Sequence, residues 1–148
     1  MKNNFKEIIT YGQKLKVLFV EDNENVRTQL LKLLNNFFKN IEIESDGFSA
    51  YNNYMNYYKE NNINYDLVIT DLSMPKLNGI ELSKKIFKHN ANQIIIVISA
   101  QTELEKLQKL TDIGIHNFLR KPVDYRELLD TLTSIINKIN KEKIISKQ

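Results

Sequence analysis

The chain has 148 residues, 42% hydrophobic and 26% charged, ordinary proportions for one globular domain with a single substantial core. It has no cysteine, which excludes disulfides and thiolate metal sites, and no apolar run near the roughly 20 residues that cross a bilayer. The net charge of +3 gathers at the C-terminus in Lys138, Lys141, Lys143 and Lys147, where lysines suit a solvated helix end better than a nucleic-acid surface.

Residues 1–14 offer Phe5, Ile8 and Ile9 as an amphipathic turn, and an arm or short extra helix is expected there. Met1-Lys2-Asn3-Asn4-Phe5-Lys6 lacks the apolar stretch of a signal peptide, so a cytoplasmic location is the default. The first strand is expected near residues 16–20, where Val17-Leu18-Phe19-Val20 ends at Glu21-Asp22. Val26, Leu30, Leu33, Leu34 and Phe37 then keep a helical stripe, followed by a second apolar run near 41–44. The stretch from Tyr51 to Tyr58 has the look of low complexity. Its Tyr51, Tyr54, Met55 and Tyr58 nevertheless fall at i, i+3, i+4 and i+7, which makes one helix face.

The third strand, Leu67-Val68-Ile69-Thr70, gives way to Asp71 and an irregular loop, and Asn78 with Glu81 marks the next helix start. Ile94 to Ile98 is apolar without alternation, as in a central parallel strand, and ends at Ser99. Thr102 with Glu105 reads as another helix start and Gly114 as that helix's end. Ile115 to Leu119 forms the fifth strand and leads to Lys121-Pro122. Asp124 and Glu127 open a last helix striped by Leu128, Leu129, Leu132, Ile135, Ile136 and Ile139. The expected domain spans residues 15–140, with 141–148 a basic tail or the end of that helix.

The order is (βα)₅, an α/β fold with a parallel sheet, right-handed crossovers and helices on both faces. Glu21, Asp22, Asp71, Ser99 and Lys121 then project from one edge, where open α/β sheets place their sites. Alone, each has a plain structural role as a cap, turn acid or strand end. Together they suit phosphoryl transfer. Two carboxylates 4 Å apart repel by roughly 4 kcal/mol at an effective dielectric of 20, so one takes a proton or a divalent cation sits among them. Oxygen ligands without His or Cys favour Mg²⁺, with Mn²⁺ an alternative. Asp71 is the natural nucleophile, Lys121 a second positive charge and Ser99 a hydroxyl donor.

In these motifs the sequence resembles the receiver domain of two-component response regulators. The matching elements are Val20-Glu21-Asp22-Asn23, Asp71-Leu72-Ser73-Met74-Pro75 with Asn78-Gly79, Ser99-Ala100 and Lys121-Pro122, over about residues 15 to 140. The resemblance implies a doubly wound, flavodoxin-like (βα)₅ fold with strand order 2-1-3-4-5. It implies that Asp71 accepts a phosphoryl group from a histidine kinase or histidine phosphotransfer protein. Asp22, Asp71 and the backbone carbonyl of Ser73 would hold Mg²⁺, with Glu21 acting mainly through water.

Lys121 would contact the phosphorylated carboxylate, and the Lys121-Pro122 peptide would be cis. Ser99 and Phe118 would be the switching pair, although Phe118 lacks the hydroxyl of a tyrosine. Ser73 and Gln101 stand where the family tunes dephosphorylation. The switching face would be the fourth helix, fifth strand and fifth helix of the repeat. There it would bind a downstream protein target or form an activation-linked dimer, with no direct nucleic-acid contact and no membrane insertion. The expected product is a phosphorelay protein that catalyses its own aspartyl phosphorylation and dephosphorylation. Alternatives are a pseudo-receiver interaction module, an aspartyl phosphohydrolase, or the N-terminal part of a regulator with a separate output domain.

Overall fold

The computed structural model describes residues 5–100 and 103–146. The elements run α1 (Phe5–Gly12), β1 (Lys16–Val20), α2 (Glu24–Leu34), β2 (Asn40–Glu44), α3 (Gly47–Asn61), β3 (Leu67–Thr70), α4 (Gly79–His89), β4 (Ile95–Ser99), α5 (Leu104–Ile113), β5 (Asn117–Arg120) and α6 (Tyr125–Ser146). All strand pairs are parallel, in the order β2-β1-β3-β4-β5. The first β connects to an outer strand and the chain then crosses back past it, so the winding reverses between β1 and β3.

Side-chain alternation along the buried strands builds two cores. Val17, Phe19, Leu67, Ile69, Ile96, Ile98 and Leu119 face α2 and α6, where Leu30, Leu34, Leu128, Leu132, Ile135 and Ile136 meet them. Leu18, Val20, Val68, Ile95 and Val97 face α3, α4 and α5, against Ala50, Tyr54, Leu82, Ile86 and Leu110. This two-sided burial explains why β1, β3 and β4 read as nearly unbroken apolar runs. The tyrosine stripe of α3 belongs to the second core: Tyr54 is fully buried and its hydroxyl donates to Gln93 Oε1 at 2.5 Å. Burial pushes that phenol up to about 12.

Caps set the helix limits. Asn23 Oδ1 accepts from Val26 N at 3.0 Å and Asn78 Oδ1 from Glu81 N at 2.9 Å, satisfying first-turn amides of α2 and α4. Thr102, expected as the α5 cap, lies outside the described residues. Phe37, expected in the second helix stripe, falls in the turn after α2, yet is buried in the first core. The fifth strand begins at Asn117 rather than Ile115. Gly114 at φ +111° ends α5 with its N–H on Thr111 O, while Ile115 N–H returns to Leu110 O at 2.9 Å. This paired cap claims Ile115 for the helix end before pairing with β4 can start.

At the opposite edge of the sheet from the strand ends, α1 packs against α6. A Cβ at Gly12 would lie 2.8 Å from Phe37 O and 3.0 Å from Ile136 Cδ1, so glycine permits that approach. Lys143 on α6 pairs with Asp66 at 2.8 Å, and Asp66 Oδ2 also accepts from Lys16 N.

Candidate phosphoacceptor site

Backbone register delivers the site residues to one place. Asp71 N–H donates to Val20 O at 3.2 Å, extending the β1–β3 ladder one residue past the end of β3, and Glu21 N–H donates to Glu44 O at 3.1 Å. Across the sheet, Lys121 N–H donates to Ser99 O at 3.1 Å, which ties the residue after β5 to the last residue of β4. The Lys121-Pro122 peptide is cis.

Glu21, Asp22 and Asp71 bring carboxylate oxygens within 4.8 Å of one another. Glu21 and Asp71 are buried, at 1% and 8% exposure, whereas Asp22 is exposed and opens to solvent. Lys121 Nζ reaches between the two buried acids, 2.7 Å from Glu21 Oε1 and 3.1 Å from Asp71 Oδ2. The other Asp71 oxygen, Oδ1, accepts from Leu72 N–H at 2.7 Å. Both oxygens of Asp71 are therefore held, and the carboxylate is oriented before any ligand arrives. Glu21 is anchored separately, by Asn23 N–H at 3.2 Å on Oε2 and by Arg27 on its backbone carbonyl at 2.9 Å.

The electrostatics follow from this crowding. Burial raises the Glu21 carboxyl above its ordinary value, and the Lys121 ammonium only partly offsets that. For Lys121, burial works to lower the ammonium, but the hydrogen bonds and charges of Glu21 and Asp71 outweigh it and leave it raised. Three carboxylates face one ammonium, leaving two formal negative charges for a cation to balance. An all-oxygen donor set with no His or Cys, one face open at Asp22, fits a hard divalent ion such as Mg²⁺.

The remaining predicted residues sit around this centre. Ser73 is exposed on the loop after Asp71 and lines a depression with Asp22, Met74, Asn78 and Lys106. Ser99 is buried, and it lines a cavity of about 530 Å³ together with Phe118, Leu107 and Pro122. Phe118 is half-buried on β5, in register with Val97. Gln101 lies outside the described residues. Sequence reasoning named Asn78-Gly79 but missed Lys106 at the rim, the Leu72 amide that orients Asp71, and Gly47 behind the loop. Of these, only Gly47 left a signal, in Asp46-Gly47.

Residues 17–133 match the family model described as the response regulator receiver domain. The chain belongs to the response regulator receiver family. It is 31% identical over 130 residues to the response regulator ArlR of Staphylococcus aureus, an alignment covering 88% of this chain and 56% of that protein. The receiver thus spans little more than half the length of the curated relatives it matches. Among solved structures, it is similar to a chain of the CheX–CheY–BeF₃–Mg²⁺ complex from Borrelia burgdorferi, with a TM-score of 0.73 at 30% identity, covering 82% of this chain and 88% of that one. The N-terminal domain of an uncharacterized protein from Wolinella succinogenes matches with a TM-score of 0.71 at 30% identity, covering 90% and 99%.

The expected doubly wound fold and strand order are those observed. Magnesium and phosphorylation are typical of receivers, which interact with histidine kinases and downstream targets. Among the described residues, no helix of this receiver is long and apolar enough to cross a membrane.

Proposed function

We propose that this receiver takes a phosphoryl group onto Asp71 from a phosphohistidine of a histidine kinase or histidine phosphotransfer protein, and thereby switches a protein-binding surface. The observation that carries this reading is Asp71 itself. It is a carboxylate fixed by Leu72 N–H and Lys121 Nζ at a strand end, with Glu21 and Asp22 beside it. The Asp71 oxygen forms a bond to phosphorus as the phosphorus–nitrogen bond of the donor breaks, and the departing imidazole takes up a proton.

Such a transfer has little covalent chemistry to arrange, so positioning and charge stabilisation dominate. Asp22, Asp71 and the Ser73 carbonyl would hold Mg²⁺ or Mn²⁺, with Glu21 acting through water, and the ion supplies positive charge against the phosphoryl oxygens. Lys121, already at 3.1 Å from Asp71, follows the carboxylate into its phosphorylated form. Ser99 donates its hydroxyl to a phosphoryl oxygen, and Phe118 repacks in the cavity they share. The response is a shift of an existing equilibrium at the face of α5, β5 and α6. A cytoplasmic downstream protein, or a second activated copy, reads that face.

The test is intact mass after incubation with acetyl phosphate, with and without Mg²⁺. A base-labile phosphoryl adduct that requires Mg²⁺ is expected. Failure to form it, together with failure to bind beryllofluoride, would establish a pseudo-receiver instead.

The exposed member of the cluster gives a separate prediction. Asp22→Asn removes one of three converging negative charges, so the metal-free protein should gain up to about 1 kcal/mol against urea, after discounting for solvent screening. Mg²⁺ should then no longer raise its melting temperature, because ligand stabilisation requires the site. Equal Mg²⁺ stabilisation of variant and wild type would remove Asp22 from the metal site.

A further inference from the structure

The loop from Leu72 to Asn78 joins Asp71 to α4, and its far end is strained. Leu77 N–H closes back on Pro75 O at 2.8 Å, a three-residue turn, with Lys76 between them at φ +68°. Turns of this type with positive φ are rare and strained for a residue that carries a Cβ. Such a conformation persists only where the surroundings over-determine it.

Two glycines supply that constraint. At the loop's end, Gly79 lies against Asp71, where a Cβ would stand 2.1 Å from the Asp71 carbonyl oxygen, and Gly79 N–H donates to Leu72 O at 2.8 Å. The second comes from a different unit of the fold. Gly47 opens α3, and a Cβ there would stand 1.9 Å from Leu77 O and 2.8 Å from Leu77 C. Both are backbone atoms, so no rotamer change relieves the overlap. Gly47 is itself fixed by Asp46, which is buried, caps α3 through Ser49 N–H at 2.7 Å and accepts the Ser49 hydroxyl at 3.1 Å. The Ser49 hydrogen bonds hold the Asp46 carboxyl below its ordinary value against its burial, and the Lys76 charge adds a smaller effect.

We propose that the Asp46-Gly47 corner is a positioning element for the metal-binding loop. It receives the Leu77 carbonyl where a side chain would stand, holds the strained turn at Lys76, and thereby fixes the segment carrying Ser73 next to Asp71. The proposal rests on the acidic cluster being the Mg²⁺ site. Neither Asp46 nor Gly47 touches the ion or the phosphoryl group. They act through Leu77, as residues behind a metal ligand do when they set its orientation.

The decisive comparison is Gly47→Ala against wild type in the full chain, with Mg²⁺ affinity measured by calorimetry and loop amides followed by NMR without metal. Gly47→Ala should weaken Mg²⁺ binding roughly 10–100-fold, the usual effect of disturbing such supports. It should move the Ser73 to Gly79 amide resonances before any metal is added, and regain wild-type adduct yield at saturating Mg²⁺. Asn52→Ala, on the exposed side of α3, should change none of these. A folded Gly47→Ala protein with wild-type Mg²⁺ affinity overturns the proposal, whereas a wild type that binds no Mg²⁺ overturns the site reading beneath it. Should Gly47→Ala not fold, Asp46→Ala loosens the same corner at the cost of one cap, and Asp46→Asn restores an equally good one. Weakened Mg²⁺ binding in the first and recovery in the second support the proposal; wild-type affinity in Asp46→Ala overturns it.

Discussion

Asp71→Asn is expected to carry no phosphoryl adduct under conditions that label the wild type fully. An amide has the shape of the carboxylate and keeps an oxygen for the Leu72 N–H, but it is not a nucleophile toward phosphorus. The fold should survive. Asp71 contributes two electrostatic effects of opposite sign, attraction to Lys121 at 3.1 Å and repulsion of Glu21, which Asp71 helps to hold raised. Neutralising it removes both, so the unfolding free energy should change by no more than about 1 kcal/mol, the scale of one hydrogen bond. Intact mass and urea denaturation on the same preparation separate the two claims. Labelling retained at full level would place the acceptor elsewhere, and loss of labelling accompanied by unfolding would leave chemistry and structure confounded. A folded, unlabelled protein therefore carries the assignment.

The middle of the sheet was legible because β1, β3 and β4 are buried on both faces, and Leu67 to Ile69 or Ile95 to Ile98 satisfy that as apolar runs. The convergence of Glu21, Asp22, Asp71, Ser99 and Lys121 was legible for a related reason. In a parallel sheet every strand ends on the same edge, so a polar residue after each run maps directly to the site. The strand order came from resemblance, since nothing in local sequence dictates that β1 and β3 become neighbours. Details that depend on backbone meeting backbone were not legible. The approach of Gly47 to Leu77 links residues thirty positions apart, and a glycine at a helix start reads simply as a turn signal. The later start of β5 has the same character, because Ile115 is apolar enough for a strand and is taken instead by the α5 cap. The opening helix was expected only as one of two options, and its position against α6 depends on Gly12 fitting beside Phe37 and Ile136.

Lys121→Ala should be the most destabilising change at the site and should uncouple phosphorylation from switching. In the absence of metal, Lys121 is the cation that lies between Glu21 and Asp71, at 2.7 and 3.1 Å, with 17% of its side chain exposed. Breaking a fully buried pair costs about 3–5 kcal/mol. Here the site opens at Asp22 and Glu21 can accept a proton, so about 2–3 kcal/mol is expected near neutral pH. The pH dependence follows from the two shifts. Lys121 is raised in the folded state, so its contribution is present below the ordinary lysine value of about 10.4 and is lost as pH rises through the folded value.

Glu21 is also raised, so its ionisation in the folded state costs stability as pH rises above its ordinary value of about 4.3. Without the ammonium, Glu21 rises further, and the deficit of the variant should shrink as the pH falls and Glu21 takes its proton. Excess Mg²⁺ should also shrink it, by supplying positive charge to the same carboxylates. A deficit that stays constant from pH 5 to pH 9 would mean that Lys121 acts through packing of its stem rather than through charge. Functionally, Asp71 remains a nucleophile in this variant, so acetyl phosphate should still label it. The amide resonances of β5 and α6 should then fail to move with the adduct, because the group that follows Asp71 into its phosphorylated form is gone. A full wild-type shift in those resonances would assign the coupling to Ser99 and Phe118 without help from Lys121.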